Sequence, residues 1–309
     1  MLKILLARLA QGHRTTRFPD VEPTLPDRFR GRATLDPTRC PDGCAACIAA
    51  CPTGAIARDD ARGLALDLGR CLFCTDCLEA CPEGAIDYTT DYRLAARRRD
   101  ELFARPPGAP ATSRELALGT ELRKLFGRSL KLRQVSAGGC NGCEADVNVL
   151  GTIVFDLGRF GIQFVASPRH ADGLLITGPV TTNMQLALRK AYDAIPDPKI
   201  VIAVGACAIS GGPYVDHPEV NNGVDAVVPV DLYIPGCPPH PYTILEGLIG
   251  LVGRTRSLRE VATPAADPQR EALERGIHRA ESEIRSVGVD LGRTAVAEQP
   301  PRRPEDPGG

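Results

Sequence analysis

The sequence lacks an excess of charge of either sign, with 37 Lys and Arg against 38 Asp and Glu over 309 residues. That balance gives no one-signed field to hold a polyanion, so no nucleic-acid partner is expected. The Arg-rich stretch RLAARRRDELFAR (93–105) accordingly reads as a solvated helix face. Any apolar run near the roughly 20 residues that cross a bilayer is also missing. The opening MLKILLARLA has charges inside a short apolar stretch, with no good cleavage site and no twin-arginine pattern. A cytoplasmic chain is therefore expected. There is no G-x-G-x-x-G or Walker-type glycine loop, and no nucleophile or general base stands out. Phosphate cradling and covalent catalysis drop out of the expected chemistry. The length leaves room for two domains, each with its own core.

What is present is cysteine. Twelve of them in a cytoplasmic chain point to metal rather than to disulfides. Eight fall in two matching runs, CPDGCAACIAACPTGAI (40–56) and CLFCTDCLEACPEGAI (71–86). Cys44, Cys47 and Cys51 recur 30 residues later as Cys74, Cys77 and Cys81, and CP-x-GAI repeats in both runs. This is an internal repeat of the bacterial two-cluster ferredoxin kind. Three closely spaced cysteines wrap one face of a [4Fe–4S] cube, and the fourth, just before proline, leads away to the other cube. By that rule Cys40, Cys44, Cys47 and Cys81 hold one cluster, and Cys71, Cys74, Cys77 and Cys51 hold the second. Pro52 and Pro82 turn the chain and remove an amide donor. The first run has three residues between Cys40 and Cys44 where two are usual, a longer loop that still reaches the cube. A pair of Cys₄ zinc sites is the competing reading. Zinc knuckles normally separate two CxxC pairs by a longer loop, which fits this repeat poorly.

Between the runs, LALDL (64–68) alternates as a strand does and is expected to pair with AIAR in a hairpin. ARPPGAPATS (104–113) reads as a linker. Beyond it, short apolar runs end in glycine-containing loops at 130–140, 162–168, 173–179, 199–207 and 231–239. Helical stretches separate several of them. EADVNVLGTIVFDLGRF (144–160) carries Val147, Leu150, Val154 and Leu157 on one face, and TNMQLALRKAYDAI (182–195) is a second helix. Strands alternating with helices imply a parallel, flavodoxin-like sheet. The expected fold is α/β: an N-terminal two-cluster ferredoxin-like α+β domain joined to a flavodoxin-like parallel-sheet domain. The boundaries are a docking segment 1–35, the ferredoxin-like domain 36–95, a linker 96–125, the sheet domain 126–253 and a tail 254–309.

The remaining cysteines answer a question posed by GGCNGCEADV (138–147), where two thiols cannot fill a four-ligand site. Cys140, Cys143, Cys207 and Cys237 each follow a predicted strand, and in parallel sheets functional loops gather at the carboxyl ends of the strands. The four are expected to complete a third [4Fe–4S] site. Glycines and prolines flank them (Gly138, Gly139, Gly142, Gly205, Gly236, Pro238 and Pro239), and glycine permits close backbone approach. Two buried structural thiols at 207 and 237 are the plain alternative.

With these motifs in view, residues 1–90 resemble the ferredoxin-like subunit of formate hydrogenlyase and the 23-kDa-type subunit of NADH:quinone oxidoreductase. LARLAQGHRTTRFP (6–19), FRGRATLDPTRC (29–40) and the cluster runs carry that likeness. Residues 121–252 resemble the small electron-transferring subunit of energy-converting [NiFe]-hydrogenases, the 20-kDa-type subunit of complex I. FGRSLKLRQVSAGGCNGCEADV (126–147), FVASPRHADGLLITGPVTTNM (164–184), VGACAISGG (204–212) and IPGCPP (234–239) carry it. CNGC has the hydrogenase-type spacing rather than tandem cysteines. The resemblance implies a fusion of two neighbouring subunits, passing electrons through three [4Fe–4S] clusters to or from a large catalytic subunit encoded elsewhere. That partner is of the nickel–iron or complex I 49-kDa type. Membrane-arm subunits are further implied partners, as is an electron donor such as a formate dehydrogenase or a ferredoxin. The location implied is cytoplasmic and peripheral on the inner membrane face. A nickel-free or complex I-like quinone oxidoreductase and a free soluble ferredoxin carrier are the alternatives. Glu144 and Asp146 match acidic positions after the CxGC of such subunits; cluster tuning, partner contact and a plain helix N-terminal charge all stay open. His240 reads as a surface residue and His170 as structural.

The ends carry two further expectations. Leu2, Leu5, Leu6 and Leu9 share a helical face suited to a membrane surface or a membrane subunit. Leu273, Ile277, Ala280 and Ile284 mark a docking helix or a loose solvated one, and 298–309 is expected to be disordered.

Overall fold

The computed structural model describes residues 3–4, 12, 14–41, 43–59, 63–104, 116, 118, 124–126 and 129–253. Strands β1 (Ala33–Leu35) and β4 (Ile86–Tyr88) pair antiparallel, and β2 (Ile56–Asp59) and β3 (Gly63–Leu66) form the expected hairpin. Helices α1 (Ala46–Ala50) and α2 (Asp76–Ala80) lie within the cysteine runs and pack on each other. Each ends at the cysteine before proline: Cys51 N–H donates to Ile48 and Cys81 N–H to Leu78. The prolines that follow cannot continue the helix, which is why both are cut to five residues.

Five strands form the second sheet: β5 (Leu130–Ser136), β6 (Ile162–Phe164), β7 (Gly173–Thr177), β8 (Ile200–Val204) and β9 (Leu232–Ile234). All pairs are parallel and the order is β6-β5-β7-β8-β9, the flavodoxin-like arrangement in which the first two strands of the sheet swap places. β7 and β8 are buried at every position, as continuous apolar runs covered on both faces should be. Leu174, Ile176, Val201 and Ala203 face one apolar layer, which includes Leu188 of α4 (Thr182–Asp193) and the ferredoxin-half residues Leu35, Ile56, Leu66 and Leu102. Leu175, Ile200, Ile202 and Val204 face the other, with Ile244, Leu245 and Leu248 of α6 (Pro241–Leu251). The two halves therefore share one core, and residues 1–256 form one compact unit.

Three expectations are corrected. The Arg-rich segment is not a helix over its described residues 93–104: Leu94, Ala95, Ala96 and Leu102 are buried, and among them only Arg99–Leu102 make a short 3₁₀ turn. Ala96 and Tyr233 exchange backbone hydrogen bonds of 3.0 and 2.8 Å, so this strip covers the otherwise open β9 edge. The first residues of the expected 96–125 linker are thus a seam. Arg99 grips the buried Asp67 with two bonds of 2.7 and 2.5 Å, and Ser210 Oγ donates to the Gly69 carbonyl across the halves. Leu116 and Leu118, from the same expected linker, are also buried in the core.

The helix expected over 144–160 is α3, Gly142–Val149, and stops there. Gly151 and the β-branched Thr152, Ile153 and Val154 lower helix propensity at its end, and Leu157 N–H closes a turn onto Leu150. Val154 consequently lies at the surface instead of sharing the buried face of Val147, Leu150 and Leu157.

The described part of the N-terminal segment docks on this chain itself. Thr16 N–H donates to Val154, Arg159 donates to the Thr16 and Phe18 carbonyls, and Phe18 packs against Tyr92 and Tyr242. The leucine face of 2–9, the candidate helix of 267–286 and the tail 298–309 lie outside the described residues.

Candidate metal centres

In the first half the two runs exchange their last cysteines. Cys47 is raised above the ordinary thiol range by burial first, then by Cys40 and Cys81 close by. Cys71, pushed up to about 11 chiefly by burial, also feels Cys77 and Cys51; Cys77 feels Cys74 and Cys51. The structure so brings Cys81 to the first run and Cys51 to the second. Cys51, Cys71, Cys74 and Cys77 line one gap, together with Ile56, Leu66 and Tyr88. Four thiols around an apolar gap fit a polynuclear cluster, whose ligands are spread around it. Zinc would instead draw four sulfurs to within about 2.3 Å of one point.

Backbone donors reach the sulfurs in the same way in both halves. Ala55 N–H donates to Cys51 Sγ and Ala85 N–H to Cys81 Sγ, both at 3.2 Å. Phe73 N–H adds a bond of 3.3 Å to Cys71 Sγ. Two side chains that the sequence reading missed also reach thiols. Tyr88 Oη lies 3.6 Å from Cys71 Sγ and 3.8 Å from Cys77 Sγ. Arg58 Nη2 donates to the Cys44 carbonyl at 2.8 Å and lies 3.9 Å from Cys40 Sγ.

The third set gathers at the carboxyl end of the parallel sheet. Cys140 lies in the loop after β5, and Cys143 in the first turn of α3. Cys207 sits in α5 (Ala206–Ser210) directly after β8, and Cys237 follows β9. Gly205 is the hinge of this arrangement: its φ is +92°, and a Cβ there would stand 2.5 Å from Cys143 Sγ. Only glycine lets the backbone turn so close to a thiol. Burial pushes Cys143 up, with Cys207, Glu144, Cys237 and Cys140 adding to it, and Cys207 goes up to about 12 by burial and then by Cys237 and Cys140. Cys140 and Cys237 reach the surface while Cys207 is buried, so the set is open on one side.

The shielded thiol end of Cys237 is raised by burial, then by Cys140 and by Cys74 from the second run. Phe73, beside Cys74, lines the same cleft as Pro235, Gly236, Pro238 and Pro239. The second set is thus the one that adjoins the third.

Of the acidic pair, Glu144 is at the centre and Asp146 is not. Glu144 is buried, and its Oε1 accepts from Ser136 Oγ at 2.5 Å and Thr177 Oγ1 at 2.7 Å, the last residues of β5 and β7. Burial works to raise this carboxyl, but the two hydroxyls outweigh it and hold the group below its ordinary range. Asp146, raised by burial, lies on the wall of the cleft lined by Arg28, Arg30 and His240. His240 is half-buried rather than at the surface: its Nδ1 accepts from Tyr242 N–H to cap α6, and its ring stacks on Tyr242 and meets Phe29 edge-on. His170, read as structural, is exposed at the end of a 3₁₀ turn.

The family described as NADH ubiquinone oxidoreductase, 20 Kd subunit, matches residues 140–251, which contain all four cysteines of the third set. The 4Fe-4S dicluster domain matches residues 39–85, which contain the other eight. The probable membrane-bound hydrogenase subunit mbhJ of Pyrococcus furiosus is 45% identical over 129 residues, 42% of this chain and 77% of that protein. Formate hydrogenlyase subunit 7 of Escherichia coli is 47% identical over 137 residues, 44% of this chain and 54% of its own length. A chain of the archaeal membrane-bound sulfane sulfur reductase is similar at 31% identity and a TM-score of 0.39, covering 56% of this chain and 93% of that one. With a relative so similar matched over most of its length, the chain belongs to the family of the NADH ubiquinone oxidoreductase 20 kDa subunit and membrane-bound hydrogenase small subunits, here preceded by a 4Fe-4S dicluster domain.

Proposed function

We propose that this chain is the iron–sulfur electron-transfer subunit of a membrane-associated, hydrogenase-like oxidoreductase. Its twelve cysteines hold three [4Fe–4S] clusters: Cys40, Cys44, Cys47 and Cys81; Cys71, Cys74, Cys77 and Cys51; and Cys140, Cys143, Cys207 and Cys237. What such groups supply when bound is one-electron transfer at a potential set by hydrogen bonds, charge and burial. The observation that carries this reading is the grouping of thiols in fours, with Cys74 of the second group beside Cys237 of the third.

The chain's own part is positional. The exchange of Cys51 and Cys81 ties the first two centres into one rigid pair. The seam from Ala96 to Arg99 then fixes that pair against the parallel sheet. The order along the molecule runs from the first set to the second and on to the third. The third set opens to the surface at Cys140 and Cys237, where a large catalytic subunit would meet it. Among the described residues no helix is long and apolar enough to cross a membrane. Attachment to the membrane through partner subunits, on the cytoplasmic face, agrees with that.

Metal analysis of the complex purified anaerobically through this chain tests the reading. About twelve irons per chain, beyond any partner iron, are expected for three cubes. Nickel alongside them means a hydrogenase, and its absence moves the enzyme to a nickel-free or quinone-reducing branch. Zinc in place of iron sinks the proposal. In the same complex Cys140→Ala abolishes turnover while both ferredoxin-half clusters remain detectable by EPR; unimpaired turnover would remove the third centre from the path.

A further inference from the structure

The repeat that relates the cysteine runs also relates positions 58 and 88, which lie 30 residues apart on the strands that follow the two CP turns, β2 and β4. Elsewhere the two halves treat their thiols alike. Ala55 and Ala85, equivalent in the same register, donate identical 3.2 Å bonds to Cys51 and Cys81. At 58 and 88 the halves diverge. Arg58 is exposed and extends a charged guanidinium to the first run, bonding the Cys44 carbonyl and standing 3.9 Å from Cys40 Sγ. Tyr88 is half-buried against Phe73 and brings a neutral hydroxyl to 3.6 and 3.8 Å from the two sulfurs of Cys71 and Cys77.

From this juxtaposition we infer that positions 58 and 88 are a matched pair of potential-setting residues, Arg58 acting on the cluster of the first run and Tyr88 on that of the second. The inference rests on the ligand sets proposed above. A donor or a positive charge beside a thiolate stabilises the reduced, more negative form of a cluster and raises its potential. The two devices differ in kind. A hydroxyl in the apolar gap that holds Cys51, Cys71, Cys74 and Cys77 acts in a low local dielectric and is insensitive to salt. A guanidinium at the surface is screened by ions. The two clusters are therefore tuned independently, and only the first responds to ionic strength through its side chain.

EPR-monitored redox titration of the purified complex reads this out. The two ferredoxin-half signals are assigned beforehand by their selective loss in Cys44→Ser and Cys74→Ser. Tyr88→Phe keeps the ring contact with Phe73 and is expected to shift the second cluster to lower potential while the first stays put. Arg58→Gln is expected to lower the first alone and to reduce its salt dependence. Unmoved potentials in both variants, or equal shifts of both clusters in either, overturn the inference. Arg58→Gln changes an exposed side chain and keeps the test decisive should Tyr88→Phe fail to fold. A complex with no iron at all would instead defeat the ligand assignment, an outcome visible before any titration.

Discussion

At the scale of single residues, steric room around sulfur decides more than charge does. Gly205 is held at φ +92°, where an L side chain is strained, and the space its Cβ would take belongs to Cys143 Sγ. Gly205→Ala must either rotate the backbone, at a cost of about 1–3 kcal/mol, or move the thiol from its set. The expected outcome is loss of the third cluster with the other two intact. Iron would fall by about one third of that in the unaltered chain, and one EPR signal would vanish. A full iron content in this variant would show that Cys143 does not need its observed position. Glu144 illustrates the reverse case, in which a buried charge is tolerated because Ser136 and Thr177 both donate to it. CxGC followed by an acidic residue marked Glu144 in the sequence. Ser136 and Thr177 carried no such mark, since only strand register puts their hydroxyls side by side.

At the scale of elements, the seam between the halves is the feature that pattern reading turned over. RLAARRRDELFAR has the composition of a solvated helix, yet Leu94, Ala95, Ala96 and Leu102 are buried, and Arg93, Arg98 and Arg99 stand in ion pairs. An edge strand with unpaired backbone groups is a liability, and the pairing of Ala96 with Tyr233 removes it. Arg99 then anchors the strip through Asp67, whose carboxylate also accepts from Gly69 N–H. Arg99→Ala leaves that buried carboxylate without its cation, a change that costs about 3 kcal/mol. Urea unfolding of the whole chain measures it, and a loss under ~0.5 kcal/mol would mean the pair behaves as a surface one. The parallel strands and the helix at 182–193 were legible, because apolar runs between glycine loops have few other solutions. The end of the helix at 149 was not: the buried face of Val147, Leu150 and Leu157 continues in register past the break, so periodicity alone does not reveal it.

At the scale of the whole molecule, the two halves share apolar layers rather than touching at a polar interface. Leu35, Ile56, Leu66 and Leu102 belong to the same buried group as Leu174, Ile176 and Val201. Separating the halves would expose that group to water, so they are expected to unfold as one unit. Loss of the two ferredoxin-half EPR signals reports that half, and far-UV circular dichroism is dominated by the sheet half. The two should follow coincident denaturant transitions. A ferredoxin-half transition well before that of the sheet would mean two independent domains and a seam that carries little.

By itself the sequence determined the chemistry. Cysteines in CP-terminated repeats and strand-end loops marked the candidate iron–sulfur ligands, because residue identity and local spacing are properties of the chain. The α/β architecture was equally determined, since strand and helix periods are written in neighbouring residues. Tertiary structure alone decided which set of thiols adjoins which, that the first residues of the apparent linker are a seam, and that Arg58 and Tyr88 stand over thiols. Those relations join residues far apart in sequence, and they come into being only when the packing of two halves on one core brings the residues together.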